Sequence, residues 1–393
     1  MSAPTSTVAR SLLKQSWPDE RHELLLQAAL NQTPKAIESW ETFFDLYTLD
    51  HLDEGEFRLL SLAGRNLKHR GYDGPSLAHL KSVHRQSWYR NQLISHRFAD
   101  LLKGLNDQGI TTLLLKGAPL AHRYYEDPGL RPMRDLDVLV PEAQANQAAR
   151  YLLQLGWRFA LPEVRHPLSA RFRRFRHSVG LRHKNDELDL HWHALYWARY
   201  PEFDRQVWAK AVPFELHGVP TLTVPATVHL LHVCVHGCQW DPVPPIRWIA
   251  DSMVLLRSPE GIDWPWIQSM IFENHLTLPM QAAFVYLVEH HDAPIPADFM
   301  ARLMARPISA TDIAEFNRLT LPNAVQSLPQ TIRAVFREHS RGYAAGASLL
   351  RAAEFPAYVA QLWGTEGLAQ TAMKAVRFLK TRATRQELQR QTP

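Results

Sequence analysis

The sequence predicts an α+β protein in which a small sheet-bearing core lies between two helical regions, and three observations carry that expectation. Apolar residues recur at spacings of three and four through roughly the first hundred positions, as on one face of a helix. From Gly109 the pattern changes to short β-branched and apolar runs separated by turn residues, as in strands. Beyond Pro225 the helical spacing returns. The expected division is a helical region over 1–108, a core over 109–224 and a second helical region over 225–393.

Composition restricts the possibilities. A chain of 393 residues is long enough for about two or three domains. With 46% hydrophobic and 21% charged residues it reads as globular. The 44 Lys and Arg against 39 Asp and Glu leave a formal charge of +5, which tolerates an anionic partner without requiring nucleic acid. Cys234 and Cys238 are the two cysteines, too few for a disulfide framework, so a reducing, cytoplasmic setting is expected. The first residues lack a signal-peptide apolar core and no run approaches ~18 apolar residues, so neither secretion nor a membrane partner is expected.

The elements follow in order. "RHELLLQAAL", "PKAIESWETFFDLYTL" and "LAHLKSVHRQSWYRNQLISHRFADLLKGL" read as helices, the last stopped by Gly109 in a left-handed conformation. "ITTLLL" then reads as a strand, and Pro119 near a helix start suits "APLAHRYYED". "DPG" at 127–129 breaks the chain, "RDLDVLV" is the next strand, and "PEAQANQAARYLLQLG" is a helix ending at Gly156. "HSVGLRH" and "ELDLHW" flank "KND" as a hairpin. "ATVHLLHVCVHG", "IRWIADSMVLL", "WPWIQSMI" and the final "LAQTAMKAVRFLKTRATRQELQ" are helical.

The chemistry is expected on two of these strands. Side chains alternate across a strand, so Asp135 and Asp137 share one face while Leu136, Val138 and Val140 share the other. Adjacent carboxylates repel unless protonated or matched by a cation, which favours a divalent ion. In "ELDLHW" the same alternation puts Glu187, Asp189 and His191 opposite Leu188, Leu190 and Trp192, so Asp189 is a candidate third carboxylate. Oxygen ligands suit Mg²⁺ or Mn²⁺ over zinc, and Mg²⁺ commonly joins one or two carboxylates to substrate phosphates. An EF-hand is excluded because Leu139 and Pro141 stand where further oxygen ligands are needed. Taken alone, a D-x-D also fits a strand-edge pair neutralised by Arg131 and Arg134.

A strand, a Lys-Gly turn, a helix, a D-x-D strand and a later hairpin aspartate together resemble the polymerase-β-like nucleotidyltransferase superfamily. "LLLKGAPL", "YYEDPGLRPMRDLDVLV" and "ELDLHW", with "HLLHVCVHGCQW" and "IRWIADSMVLL" downstream, resemble more narrowly its uncharacterised bacterial nucleotidyltransferase family, over roughly residues 20 to 290. The resemblance implies catalytic, metal-binding roles for Asp135, Asp137 and Asp189, with an NTP as substrate. It implies a nucleotide contact for the turn of Lys116, Gly117 and Ala118, where the superfamily usually has Gly-Ser. The serine hydroxyl is missing, leaving backbone approach at Gly117 and the charge of Lys116. Asp135 follows Gly117 by 18 residues (135 minus 117), more than is common, and the added loop carries Arg131 and Arg134 as candidate phosphate ligands. His191 is a further candidate phosphate contact, with a structural role as its alternative.

In the implied mechanism Asp135 and Asp137 would bridge two metal ions, Asp189 would bind the second ion and take the acceptor proton, and in-line attack at the α-phosphorus would release pyrophosphate. The acceptor is expected to be a small molecule, peptide or sugar, because no concentrated basic stripe for nucleic acid is present. The alternative is a non-catalytic nucleotide-binding or regulatory module. Elsewhere, His232, Cys234, His236 and Cys238 cannot all meet one ion from a single helix, where the two pairs lie about 200° apart, so core packing is expected. "RFRRFRH" (171–177) suits either phosphate contact or a solvated face anchored by Phe172 and Phe175. Residues 374–390 read as a basic surface helix.

Overall fold

The α+β architecture is seen in the computed structural model, which describes residues 7–160, 169–241, 243, 245–321, 328–341, 343, 348–362, 365, 367 and 369–374. The N-terminal region is helical, its longest helix spanning Leu77–Asp107. That helix stops where the sequence places its glycine. Gly109 has φ +70°, and the Ile110 amide reaches back to the Leu105 carbonyl. Gly156, at φ +88°, ends Ala145–Gln154 in the same way, with the Trp157 amide on the Leu152 carbonyl.

The core contains β1 (Leu113–Leu115), β2 (Asp135–Leu139), β3 (Arg158–Phe159), β4 (Ser178–His183), β5 (Asp186–His191), β6 (Val212–Leu216) and β7 (Val219–Thr223). They form one mixed sheet in the order β3-β4-β5-β2-β1-β7-β6. β2 runs antiparallel to β1 and parallel to β5, so the two carboxylate-bearing strands are direct neighbours. The β4–β5 hairpin turns at Lys184, φ 54°.

The β6–β7 hairpin was not expected. Pro213 and Pro220 weaken a strand reading, since proline cannot donate to a ladder, but Pro213 is on β6, a sheet edge where that donor is dispensable, and Pro220 is on β7 outside the pairing of Leu222 with Leu113 of β1. The turn at His217 and Gly218, both with positive φ, is the two-residue signal that identifies it.

Both faces of the sheet are covered. Leu114, Leu136, Val138, Leu188 and Leu190 pack with Phe98, Leu102, Ala148 and Leu152 from the long helix and the 145–154 helix. Leu113, Leu115 and Leu139, on the carboxylate side, join a larger core with both helical regions, including Leu25, Trp40, Leu231 and Ile249. The carboxylates therefore sit at the end of a covered face, where sheet meets helices, rather than on an open one. In the C-terminal part, helices at Ala226–Gly237, Arg247–Leu256 and Trp264–Glu273 follow expectation, and Thr277–His291 adds another. Of the final basic helix, residues 375–390 lie outside the described residues.

Candidate functional site

Three strand ends build the site. β2 and β5 pair in register with Asp135 opposite Glu187, Asp137 opposite Asp189 and Leu139 opposite His191. On the other side of β2, Leu115 pairs with Asp137, which brings the next residue, Lys116, to the same end. Lys116 has φ 44° and ψ −113°, a conformation that costs energy for any residue but glycine. This bend ends β1, starts the Gly117–Arg123 helix and turns the lysine back over the sheet.

Asp137 is the hub. Its Oδ1 lies 3.1 Å from Lys116 Nζ and 3.1 Å from His191 Nε2. Burial opposes its charge, but the Lys116 ammonium and the His191 hydrogen bond outweigh burial and hold the carboxyl well below its usual range. Asp135 and Asp189 go the other way. Burial first, and then the Asp137 charge, raises both. The arrangement is one firmly ionised carboxylate flanked by two that hold protons more readily.

The donor set fits a divalent cation. Asp137, Asp189 and His191 each offer one ligand atom, all within 4.8 Å of one another, while Asp135 lies outside that trio. Two carboxylates and an imidazole suit Mn²⁺ better than an all-oxygen set would, since imidazole is a weak ligand for Mg²⁺. His191 thus stands among the metal-ligand candidates, where the sequence reading has it contacting phosphate.

Around the cluster are more imidazoles. His177 lies 5.1 Å from His191 between ring centroids, and His232 donates from Nε2 to the Ala194 carbonyl. Burial, followed by neighbouring positive charge, pushes both pKa values well down, so these rings are uncharged. His236 opens to solvent beside Lys116, whose ammonium is the first cause of its lowered pKa.

Two predicted phosphate ligands are engaged elsewhere. Arg131 is buried and forks onto Asp251, Nε to Oδ1 and Nη2 to Oδ2 at 2.8 Å each, with Nη1 on the Gly117 carbonyl at 3.2 Å. Its donors are occupied, and it fastens the Lys116-Gly117 turn to the Arg247–Leu256 helix. Arg134 points outward and pairs with Glu54. Neither forms an ion pair with Asp135 or Asp137, so the strand-edge reading of the D-x-D also loses its partners; Lys116 holds that place. Gly117 and Ala118 open the short helix after the bend. A Cβ on Gly117 would touch the Asp135 carbonyl oxygen at 3.5 Å, an ordinary contact, so the fold itself does not require glycine there.

Other features resolve structurally. Cys234 and Cys238 are free and buried, beside the Ser252 hydroxyl and the Pro279 carbonyl, with burial pushing Cys238 up to about 12. Phe172 and Phe175 are buried anchors, Arg173 bonds Asn146 and Arg174 pairs with Glu354, so 171–176 fastens elements together.

Sequence reading missed four residues. Buried Asn91 donates to the Pro128 and Arg131 carbonyls and accepts from the Met133 amide, pinning the loop that delivers Asp135. Asp251 and Arg247 do so from the far side, Arg247 through the Pro132 carbonyl at 2.7 Å. Gly180 faces Asp189 across β4–β5, and a Cβ there would lie 3.2 Å from Asp189 Oδ1. Each had a signal. Arg247 and Asp251 are charges four apart in an apolar helix, and a glycine inside a strand often marks close approach.

Comparison with known proteins bears on what this site does. A family model described as uncharacterised nucleotidyltransferase matches residues 56–291, more than half of the chain. Among solved structures, the chain is similar to an antigenic nucleotidyltransferase-like protein from Paracoccidioides brasiliensis at 15% identity and TM-score 0.33, covering 55% of this chain and 98% of that one. No curated protein matches.

Proposed function

Because the chain belongs to the family of uncharacterised nucleotidyltransferases, we propose that it transfers a nucleoside monophosphate from an NTP to a small-molecule, peptide or sugar acceptor, with release of pyrophosphate. The observation that carries this reading is the register that sets Asp137 against Asp189, with Asp135, Lys116 and His191 converging on the same strand ends. A divalent cation, Mg²⁺ or Mn²⁺, held by Asp137, Asp189 and His191 with Asp135 alongside, would offset phosphate charge and acidify the acceptor.

The chain's own residues supply the rest. Lys116 keeps Asp137 ionised and places a positive charge where phosphate oxygens would gather. His191 orients Asp137 through their hydrogen bond. Asp189, in register beside Asp137, is placed to take the proton that the acceptor loses. The acceptor's lone pair attacks the α-phosphorus in line, the bond from that phosphorus to its bridging oxygen breaks, and pyrophosphate leaves with the electron pair. A cytoplasmic setting belongs to the same proposal, supported by two unpaired cysteines; among the described residues no helix is long and apolar enough to cross a membrane.

The test is a mass-spectrometric search for nucleoside monophosphate adducts with each of the four NTPs and cell extract as acceptor source. Asp137→Asn and Asp189→Asn should abolish transfer in folded protein, and transfer that persists in both overturns the reading. The Lys116–Asp137 contact, a cation already neutralising the central carboxylate, favours one alternative: a nucleotide-binding module without turnover. Tight NTP binding with no pyrophosphate release from any acceptor would select it.

A further inference from the structure

Next to the carboxylates lies a cavity of about 260 Å³ between the Lys116 turn, the end of the Ala226–Gly237 helix, the start of Arg247–Leu256 and the short Glu54–Phe57 helix. Four cations line it: Arg58, Lys116, Arg131 and Arg247. Its acids are Glu54, Asp241 and Asp251. Two of these are already matched, Asp251 by Arg131 and Glu54 by both Arg58 and Arg134. Asp241 is exposed and accepts from the Val243 amide.

Arg247 is the unmatched cation. It is half-buried, one of its nitrogens donates to the Pro132 carbonyl, and among the described residues it makes no ion pair. Burial, and then the neighbouring Arg131 charge, lowers its pKa to about 10, with the Asp251 and Asp135 carboxylates offsetting only part of that effect. Lys116, Arg247 and Arg58 all act favourably on the Asp135 carboxylate, so the cavity adjoins the carboxylate cluster.

We propose that this cavity is the subsite for the β- and γ-phosphates of the nucleotide, which leave as pyrophosphate, with Arg247 as their principal ligand and Arg58 as a second lining cation. The identity of the anion rests on the transferase reading; the anion site itself does not. A space of about 260 Å³ falls below the roughly 300–1,000 Å³ of pockets that enclose a whole drug-sized ligand, so it suits the phosphates while the nucleoside lies outside. Guanidinium forks match phosphate oxygens in pairs, and an arginine without a carboxylate partner has its donors available for them.

The experiment is calorimetric titration of the full chain with inorganic pyrophosphate and, separately, orthophosphate, in EDTA so that only the cavity is read. Pyrophosphate should bind more tightly than orthophosphate. Arg247→Gln should weaken pyrophosphate by roughly tenfold or more, with Arg247→Lys in between. Thermal melting checks that the variants are folded. Should Arg247→Gln fail to fold, Arg58→Gln carries the test, because Glu54 keeps Arg134. Asp189 lies outside the cavity, so Asp189→Asn should bind pyrophosphate normally while failing to transfer. Pyrophosphate binding that is absent in the wild type, unchanged in the arginine variants, or no tighter than orthophosphate overturns the subsite, whatever the transfer assay shows. Intact pyrophosphate binding with no transfer to any acceptor overturns the transferase reading and leaves the anion site standing.

Discussion

Asp251→Asn is the most informative perturbation of the frame that holds the site. Asp251 accepts two guanidinium donors from Arg131 at 2.8 Å each and the Tyr125 hydroxyl at 2.8 Å. The ion-paired side chains are 2% and 4% exposed, so water has little access to replace what is lost. Neutralising one partner of such a pair strands a buried charge, which costs about 3–5 kcal/mol, a large part of the roughly 5–15 kcal/mol by which folded domains are stable. Urea unfolding followed by circular dichroism should show the loss as a lower midpoint at nearly unchanged slope. Replacing both partners by apolar residues, Arg131→Met with Asp251→Leu, should recover much of it, because paired removal leaves no charge behind. The same frame holds the Lys116-Gly117 turn, so any folded Asp251→Asn protein should bind nucleotide less well. A cost below about 1 kcal/mol, or a double variant no better than the single ones, would refute this reasoning.

Gly180→Ala should leave the protein folded but cut transfer by about tenfold or more, since a methyl 3.2 Å from Asp189 Oδ1 pushes that carboxylate off its register with Asp137; turnover equal to wild type would show that Asp189's position is not critical. Gly117→Ala should melt as wild type does, because its Cβ meets only an ordinary contact, yet bind nucleotide more weakly; normal affinity, also in Gly117→Val, would remove the need for backbone approach. Asp135→Asn and Asp137→Asn should move stability in opposite directions at neutral pH. The raised Asp135 pKa means its ionised form burdens the fold above that pKa, so Asp135→Asn should raise the melting temperature, with the gain fading as pH falls through it. The lowered Asp137 pKa means its ionised form stabilises the fold above the unfolded-state value, a contribution lost only as pH falls through the folded one. Asp137→Asn should therefore lower the melting temperature. A pH series of thermal melts reads both signs, and equal shifts would show that Lys116 does not discriminate between the two carboxylates.

Strand periodicity made much of the site legible. Asp135, Asp137 and Asp189 stand out because a charge inside an apolar alternation has no structural reason to be there, and the alternation assigns each a face. Glycine stops marked helix ends, as at Gly109 and Gly156, because a left-handed residue is a local requirement that one position expresses. The β6–β7 hairpin was hidden because its prolines argue against strands until Pro213 is known to lie on the sheet edge and Pro220 outside the short β1–β7 pairing.

What the sequence by itself determined is local: the helix and strand periods, the order of elements, and two carboxylates on β2 with a third on β5, each a consequence of backbone geometry acting over a few residues. Only the tertiary structure decided which charges meet. Parallel pairing of β2 with β5 set Asp137 against Asp189, and the bend at Lys116 carried its ammonium to Asp137. Packing of the Arg247–Leu256 helix took Arg131 for Asp251 and left Arg247 facing a cavity, with no ion pair among the described residues. The physical reason is that electrostatic partnership depends on distance and burial between segments that are 21 residues apart for Lys116 and Asp137 and 120 apart for Arg131 and Asp251, which no local pattern encodes; for a long cation such as arginine or lysine, the side chain's reach leaves several partners open until the fold is complete.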